Sequence, residues 1–251
     1  MYFKKESSHN LVIKILWIFS ILCILALTFA AVMAAPSGIS NITLINSTRY
    51  TIAPAQSIAA LAGNVTEMNL NGNTITNTWQ GYFGNVTGKI VLGNSNNNTF
   101  YDWNAASPHG EIFATRTSST PTWTSIRCAN VTNILAEDTY LGANQTADVD
   151  SVNNTFLNSS SFNQFYVGSV NINTSQNCFA TRMYNASGVK STANFAEVLL
   201  SDTSNMIYTS IIDQATIGFD NRTHQFEMLV GENGHGGDTA TTAYYFYVEL
   251  G

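Results

Sequence analysis

Short runs of β-branched and aromatic residues, separated by turns rich in Gly, Asn and Pro, follow one another from residue 39 to the end of the chain. Strands that recur about every 8–12 residues between turn signals are typical of antiparallel sandwiches. The regular alternation of strand and helix that builds parallel sheets does not occur in this sequence. We therefore expect an all-β fold, an antiparallel β-sandwich of the jelly-roll or immunoglobulin-like type.

The stretch WQGYFGNVTGKIVLGNSNNNTFYDWN, residues 79–104, is predicted to organise the core. Its apolar runs 79–83, 89–92 and 100–103 are joined by Gly and Asn clusters of the kind that close hairpins. An alternative is that Trp79, Tyr82 and Trp103, with Phe83, are exposed and stack against sugar rings. Aromatic residues on strands are more often buried, so we favour the interpretation that these side chains belong to the core.

The remaining elements follow from local patterns. The dipeptide Asn71-Gly72 predicts a hairpin between strands 67–70 and 74–78. One helix is predicted at 133–141, capped by Thr132 or Asn133 and ended by Gly142. The span 142–161, rich in Asn and Ser, is predicted to be a long loop and the boundary if there are two subdomains. Further strands are predicted at 42–45, 50–52, 111–117, 123–128, 165–172, 178–184, 195–200, 206–212, 224–230 and 243–250.

The N-terminus predicts export. Lys4 and Lys5 precede an apolar run over residues 11–35 that is interrupted only by Lys14, and its 21 residues from Ile15 onward are enough to cross a bilayer. The run ends in the small-residue sequence VMAAPSG, which favours a cleaved signal peptide over a retained hydrophobic anchor helix. In both cases residues 36–251 form the extracellular domain, tied to the membrane only if the segment is not cleaved.

Charge and polarity agree with a location outside the cell. Only 10% of the residues are charged, and polarity comes from 29 Asn, 23 Ser and 29 Thr. An average soluble protein has about 25% charged residues. The net charge is −6 and the basic residues are scattered, which excludes nucleic acid as a partner.

Cysteines and glycosylation sequons support this location. Cys23 lies in the apolar segment, and Cys128 and Cys178 are predicted to form a disulfide in an oxidising compartment, with two free thiols as the alternative. Asn-x-Ser/Thr occurs twelve times, about twice the number that composition alone would produce, which predicts N-glycosylation at several sites. The sequon asparagines are Asn41, Asn46, Asn64, Asn85, Asn97, Asn130, Asn144, Asn153, Asn158, Asn173, Asn185 and Asn221.

Motifs for catalysis are sparse. Glu232, His235 and Asp238 in GENGHGGD could bind a divalent metal, although a flexible glycine-rich connection is the favoured interpretation. Asp148 and Asp150 could bind calcium, but their spacing departs from that of an EF-hand. The sequence has no G-x-S-x-G nucleophile elbow, so no catalytic residue is assigned and no resident cofactor is expected.

Several segments together resemble a family of exported archaeal surface proteins: WQGYFGNVTG, FYDWN, GEIFATR, SIRC, LLSD, GFDNRTHQFEML and GHGGDT…YYFYVEL. The resemblance runs from about Trp79 to the C-terminus and implies an archaeal cell-surface or secreted protein, with no implied reaction.

These patterns predict a structural or adhesive protein of the cell envelope or of a surface assembly, and they favour a role other than that of an enzyme. Its expected partners are other copies of itself or surface glycans. A carbohydrate-binding module is the first alternative, and a metal-dependent extracellular hydrolase that uses Glu232 and His235 is the second.

Overall fold

The structure is a computed structural model that describes residues 34–104, 108–158, 161–214, 216–233 and 241–251. Most of the predicted export segment, residues 1–33, lies outside this set. Within the described part of the chain, no helix is both long enough and apolar enough to cross a membrane.

Strands dominate the described residues, and nearly all of them are short. The described residues contain two α-helices, α1 (Val131–Leu141) and α2 (Val152–Thr155), with single 3-10 turns at Trp123–Ser125 and Thr174–Gln176. The strands are β1 (Ser37–Gly38), β2 (Trp79–Gly84), β3 (Lys89–Gly93), β4 (Thr99–Asn104), β5 (Gly110–Thr115), β6 (Arg127–Cys128), β7 (Phe165–Val167), β8 (Val170–Ile172), β9 (Ala180–Arg182), β10 (Ala196–Ser201), β11 (Met206–Ile211), β12 (Thr216–Ile217), β13 (Thr223–His224), β14 (Phe226–Gly231) and β15 (Tyr245–Leu250).

One antiparallel sheet forms the centre of the molecule. Its strand order is β1-β15-β5-β11-β10-β6, and β9 pairs with β10 beside β6. Pairs β3–β4, β7–β8, β12–β13 and β2–β14 form separate two-stranded sheets. The expectation of an all-β fold is confirmed, since the strands pair antiparallel throughout.

Alternating side chains divide the central sheet into two apolar faces, because successive residues of a strand point to opposite sides. On β10, Val198 and Leu200 join one buried cluster, and Leu199 joins the other. On β15, Tyr247 lies in the first cluster, and the side chains of Phe246 and Val248 pack against the second. This division is the one that the alternation in residues 243–250 predicts.

Different elements cover the two faces. The β7–β8 hairpin supplies Phe165, Val167 and Ile172 to the first cluster. Helices α1 and α2 and the β2–β14 pair cover the second face, with side chains such as Ile134 and Met228. The central sheet is therefore buried on both sides, and the other elements are arranged around it.

Polar side chains of the central sheet bind the inner edge of β14. The fully buried Glu197 carboxylate accepts a hydrogen bond of 2.7 Å from the Leu229 N–H, and the Ser210 hydroxyl donates to the Glu227 carbonyl at 2.9 Å. Glu197 and Ser210 are themselves partners across β10 and β11. Backbone groups that face the interior need such partners, because an unpaired buried one costs about 1–3 kcal/mol. These two bonds fasten the outer layer to the central sheet.

The role predicted for residues 79–104 is partly wrong. The hairpin β3–β4 forms, but β2 pairs along its whole length with β14 rather than with β3. Trp79 and Tyr82 of β2 pack against the second cluster, whereas every residue of β3 is exposed. Local turn signals identified the hairpin correctly, but they carry no information about a partner such as β14 more than 130 residues further along the chain.

The strands predicted at 42–45, 50–52, 67–70 and 74–78 are not formed. Residues 40–74 contain neither helix nor strand, and all of them are exposed. The Asn71-Gly72 turn signal produces no hairpin there, which accords with the marginal stability of an isolated two-stranded ribbon in water.

The helix prediction is confirmed, with its start two residues earlier. Asn130 rather than Thr132 or Asn133 is the N-cap: its side chain accepts from the Asn133 N–H, and the Asn133 side chain accepts from the Asn130 N–H. Gly142 ends the helix in the left-handed conformation, as expected. The span predicted as a loop, 142–161, contains α2 and buries Val152 and Phe156 in the core.

Candidate interaction surface

The β3–β4 hairpin owes its turn to asparagine. The Asn94 side-chain oxygen accepts from the N–H groups of Asn96 and Asn98, and its backbone N–H donates to the Asn98 carbonyl. Asn97 adopts a positive φ of 61°, a conformation that asparagine tolerates better than most residues. This turn fixes the register of the two strands.

The register places four large apolar side chains on one face of the hairpin. Ile90 lies opposite Trp103, and Leu92 lies opposite Tyr101. Residues two apart on a strand share a face, so these four side chains form one continuous patch, which we call the hairpin face. Each of them is between 46% and 57% exposed. The Tyr101 and Trp103 rings contact each other, with centroids 4.8 Å apart.

The opposite face of the hairpin is different. There the Lys89 ammonium and the Asp102 carboxylate form an ion pair of 2.7 Å. Val91 and Phe100 share that face by alternation along their strands and are 52% and 84% exposed, so the face is mixed. No described residue covers enough of the hairpin face to bury it.

A long exposed segment precedes β2. Residues 40–74, which we call the arm, contain only two charged residues, Arg49 and Glu67. Ten large apolar residues of the arm are at least half exposed: Ile42, Leu44, Ile45, Tyr50, Ile52, Ile58, Leu61, Val65, Met68 and Leu70. Loops longer than about 12–15 residues without secondary structure are uncommon in compact domains and are often functional.

Both ends of the arm are fixed to the body. Before it, β1 pairs with β15, and the Ile39 N–H donates to the Phe246 carbonyl. After it, the Thr76 hydroxyl donates to the Asp150 carboxylate at 2.7 Å, and the Trp79 indole N–H donates to the Asp150 carbonyl at 2.6 Å. Asp150, a calcium candidate in the sequence, thus helps to anchor the arm.

The three aromatics proposed as a sugar platform do not share a surface. Trp79 is half-buried against Phe156 and Tyr208, with ring centroids 5.7 and 6.4 Å away, and Tyr82 packs edge-on against Phe246. Trp103, on the hairpin face, is 51% exposed. A stacking site for sugar rings would therefore have to use Trp103 with Tyr101.

The metal candidates fall partly outside the described residues. Glu232 is half-buried and accepts from the Thr242 hydroxyl at 3.3 Å, whereas His235 and Asp238 are not described. Among the residues that are described, no group of three or more His, Cys, Asp or Glu side chains has the arrangement of a metal site.

The cysteine pair and the sequons are placed compatibly with an exported protein. Cys128 and Cys178 come together in a disulfide, with Cα atoms 4.9 Å apart. All twelve sequon asparagines are described, and none is buried: Asn153 and Asn173 are half-buried and the other ten are exposed.

The buried Glu137 carboxylate is the centre of a hydrogen-bond network between α1 and the central sheet. The Arg116 guanidinium makes a bidentate ion pair with Glu137, which also accepts a hydrogen bond of 2.7 Å from the Tyr208 hydroxyl. Burial acts to lower the pKa of Arg116, but Glu137 outweighs it and raises that pKa. Burial raises the pKa of Tyr208 well above its usual value. This network holds α1 on the sheet.

A second charged cluster lies beside β13. Burial acts to raise the pKa of Asp220, but hydrogen bonds to its carboxylate from the His224 ring, at 2.7 Å, and from Arg222 together outweigh burial and lower that pKa to about 2. The His224 ring packs against Phe83 and Phe219, with centroids 4.7 and 6.4 Å away. These contacts hold the short β12–β13 ribbon in place beside Phe83 of β2.

Comparisons with protein-family models, with curated proteins and with solved structures give no match for this chain. The geometry alone therefore selects the arm and the hairpin face as the candidate site. Sequence reasoning missed the arm, because it assigned residues such as Ile42 and Leu44 to strands, and it gave exposure of Trp103 only as the alternative to a core. The alternation of Ile90 and Leu92 in KIVLG, and of Tyr101 and Trp103 in FYDWN, was the signal that could have placed these four side chains on one face.

Proposed function

We propose that this chain is an exported, N-glycosylated surface protein with a structural or adhesive role in the cell envelope or in a surface assembly. The observation that carries the proposal is the coexistence of a well-buried double-faced core with two exposed apolar surfaces, the arm and the hairpin face. A monomeric soluble protein rarely leaves contiguous apolar patches of this kind uncovered, and such patches commonly mark interaction sites.

Other features support the same role. The exposure of the sequon asparagines suits glycosylation during export, and the apolar N-terminal segment with its basic start suits delivery across a membrane. The arrangement also supports a sandwich as the finer fold class, since β2–β14 forms a second β layer over the central sheet. Its assignment as jelly-roll or immunoglobulin-like stays a prediction.

The test is to produce the tagged full chain in an archaeal host, fractionate the cells and measure the size of the protein by sedimentation velocity over a concentration series. We expect it in the envelope or medium fraction, as species that grow with concentration. Retention in the cytoplasm, or a monomer at all concentrations, would contradict the proposal.

A carbohydrate-binding module is the alternative, and the exposed Tyr101–Trp103 pair favours it. Two adjacent aromatic faces can stack against sugar rings. This alternative predicts that the protein is retained on cell-wall polysaccharide and that Trp103→Ala abolishes retention while the fold persists. Absence of retention on any polysaccharide tested would remove it.

A further inference from the structure

We propose that the arm of one copy adds as an extended strand to the edge of the β3–β4 hairpin of a second copy and packs apolar side chains beside those of the hairpin face. The inference rests on the proposed function as a subunit of a surface assembly and names the contact that would build that assembly. It is a form of β-strand addition, in which backbone hydrogen bonds supply affinity and apolar side chains set the register.

The arm needs a partner. Its large apolar side chains are 51% to 102% exposed, and each would gain about 1.5–3 kcal/mol from burial. Alternating sequences such as Asn41-Ile42-Thr43-Leu44 are compatible with a strand, yet no described strand pairs with them. The arm is thus a strand-forming sequence that pairs with no strand in the described part of its own chain.

The hairpin needs a partner as well. A two-stranded ribbon is marginal in water, and β3–β4 has no third strand at either edge among the described residues. Unpaired edges of this kind are the usual templates for strand addition. A strand placed at the edge of β3 would extend the sheet and bring its apolar side chains beside Ile90 and Leu92, and one at the edge of β4 would bring them beside Tyr101 and Trp103.

Both surfaces are nearly uncharged. Within one chain, neither surface covers the other. The hairpin face carries no charged side chain, and the arm carries only Arg49 and Glu67. The rest of the protein is acidic, with a net charge of −6, so copies repel except where neutral surfaces meet. Both surfaces stay exposed in the single chain, and we therefore assign their contact to two copies.

The size and symmetry of the contact fit a growing assembly. A stable interface uses about 20–30 residues from each side. The arm, with 35 residues, is long enough for its side, and the hairpin, residues 89–104, is the smaller side of the contact. The arm and the hairpin are different surfaces of the same chain, so the contact is heterologous. Heterologous contacts that do not close into a ring propagate into open filaments.

The decisive experiment is cross-linking in an isotopic mixture. Tyr101 is replaced by the photo-cross-linker p-benzoylphenylalanine in the full chain, light and heavy copies are mixed and assembled, and the linked peptides are mapped by mass spectrometry. We expect links to residues 40–74 in mixed light–heavy pairs. Links only within one isotope, links to other segments, or no links at all in assembled protein would overturn the inference.

A pair of substitutions with matched exposure provides a second test. Leu92 on the hairpin face and Val91 on the opposite face are both 52% exposed. We expect Leu92→Gln to weaken self-association at least about tenfold, because it removes an apolar side chain from the contact. Val91→Gln serves as the control and should leave association within about twofold. Equal effects of the two substitutions would contradict a contact through the hairpin face.

The outcomes separate this inference from the proposed function. Large envelope species whose cross-links avoid the arm would leave the surface role standing and remove the arm contact. A monomer absent from the envelope would remove both. Cross-linking of Tyr101 to lipid when the protein is mixed with vesicles of archaeal lipid, without links between copies, would show a membrane contact in place of strand addition.

Discussion

Glu111 on β5 and Glu249 on β15 lie directly opposite each other in the central sheet, and both side chains are no more than 6% exposed. The Gly168 N–H, at the turn between β7 and β8, donates to both oxygens of Glu249 at 2.9 and 3.0 Å. Burial, with the neighbouring Glu249 as the second cause, raises the pKa of Glu111 to about 8. Since like charges directly across strands repel, the pair holds a proton near neutral pH.

The first prediction is that the protein is more stable in acid than at neutral or basic pH. A carboxyl whose pKa is raised in the folded state binds more protons in the folded than in the unfolded protein. The contribution of Glu111 to the free energy of unfolding is therefore complete below about pH 4.5 and is lost as the pH rises through about 8. Burial also raises the pKa of Glu197 and Glu249, which adds to the same trend. Urea denaturation at pH 4.5, 6 and 8 should give falling midpoints.

The control for this prediction is a pair of substitutions. Glu111→Gln should reduce the change in the free energy of unfolding between pH 4.5 and 8 by on the order of a few kcal/mol. Glu67→Gln, in the exposed arm, should leave the dependence unchanged. Measurements stay above pH 4, because Asp202 and Asp220 have lowered pKa values and contribute stability that is lost at lower pH. A stability that rises from pH 4.5 to 8 would contradict the prediction.

The second prediction compares two arginines in ion pairs. Arg116 pairs with the buried Glu137, whereas Arg222, with a side chain 69% exposed, pairs with Asp220. Arg116→Ala should lower the free energy of unfolding by about 3 kcal/mol, because it leaves a buried carboxylate without its partner. Arg222→Ala should cost less than about 1 kcal/mol. Thermal or urea unfolding of the two variants side by side is the measurement, and equal losses would show that the Arg116 network contributes little.

The third prediction concerns the disulfide. Cys128 and Cys178 close a loop with a sequence separation of 50 residues, which the chain-entropy model associates with a stabilisation of about 4 kcal/mol. The double variant Cys128→Ser/Cys178→Ser should melt well below the wild type, and reductant should lower the melting temperature of the wild type only. If reductant has no effect on the wild type, the pair is not oxidised.

The sequence predicted what local patterns determine. Alternation in residues 243–250 correctly divided Tyr247 from Phe246 and Val248, and capping residues with Gly142 located helix α1. The asparagine turn of the β3–β4 hairpin was also visible, since Asn94 makes its bonds within five residues.

The sequence did not predict what depends on distant partners. The pairing of β2 with β14 joins residues about 145 positions apart, and no local signal specifies it. The apolar residues of the arm have the composition of core strands, so their exposure is invisible until the rest of the core has been filled. The arm was missed for this reason: its residues have the apolar composition of core residues, yet they are exposed in the folded chain.

The fourth prediction concerns which sequons carry glycans. Ten sequon asparagines are exposed, whereas Asn153 and Asn173 are half-buried. The Asn173 amide also donates to the Asn171 side chain at 2.7 Å, and its oxygen accepts from the Ser175 N–H. Glycopeptide mass spectrometry of the exported protein should therefore find lower occupancy at Asn153 and Asn173 than at exposed sites such as Asn97. Full occupancy at these two would indicate attachment before folding.

The last prediction uses trypsin to report on the arm. Arg49 is the only lysine or arginine between residues 40 and 74, and trypsin needs an exposed, unstructured backbone such as the arm provides. A variant with Asn46→Gln removes the adjacent sequon, so that a glycan cannot shield the site.

In dilute, dissociated protein we expect rapid cleavage after Arg49. In assembled protein we expect cleavage at least about tenfold slower, because strand addition makes the backbone inaccessible to the protease. A small chromogenic trypsin substrate added to both samples is the control, and it should be cleaved at the same rate in both states. If assembly leaves cleavage at Arg49 unchanged, the arm is not what joins the copies.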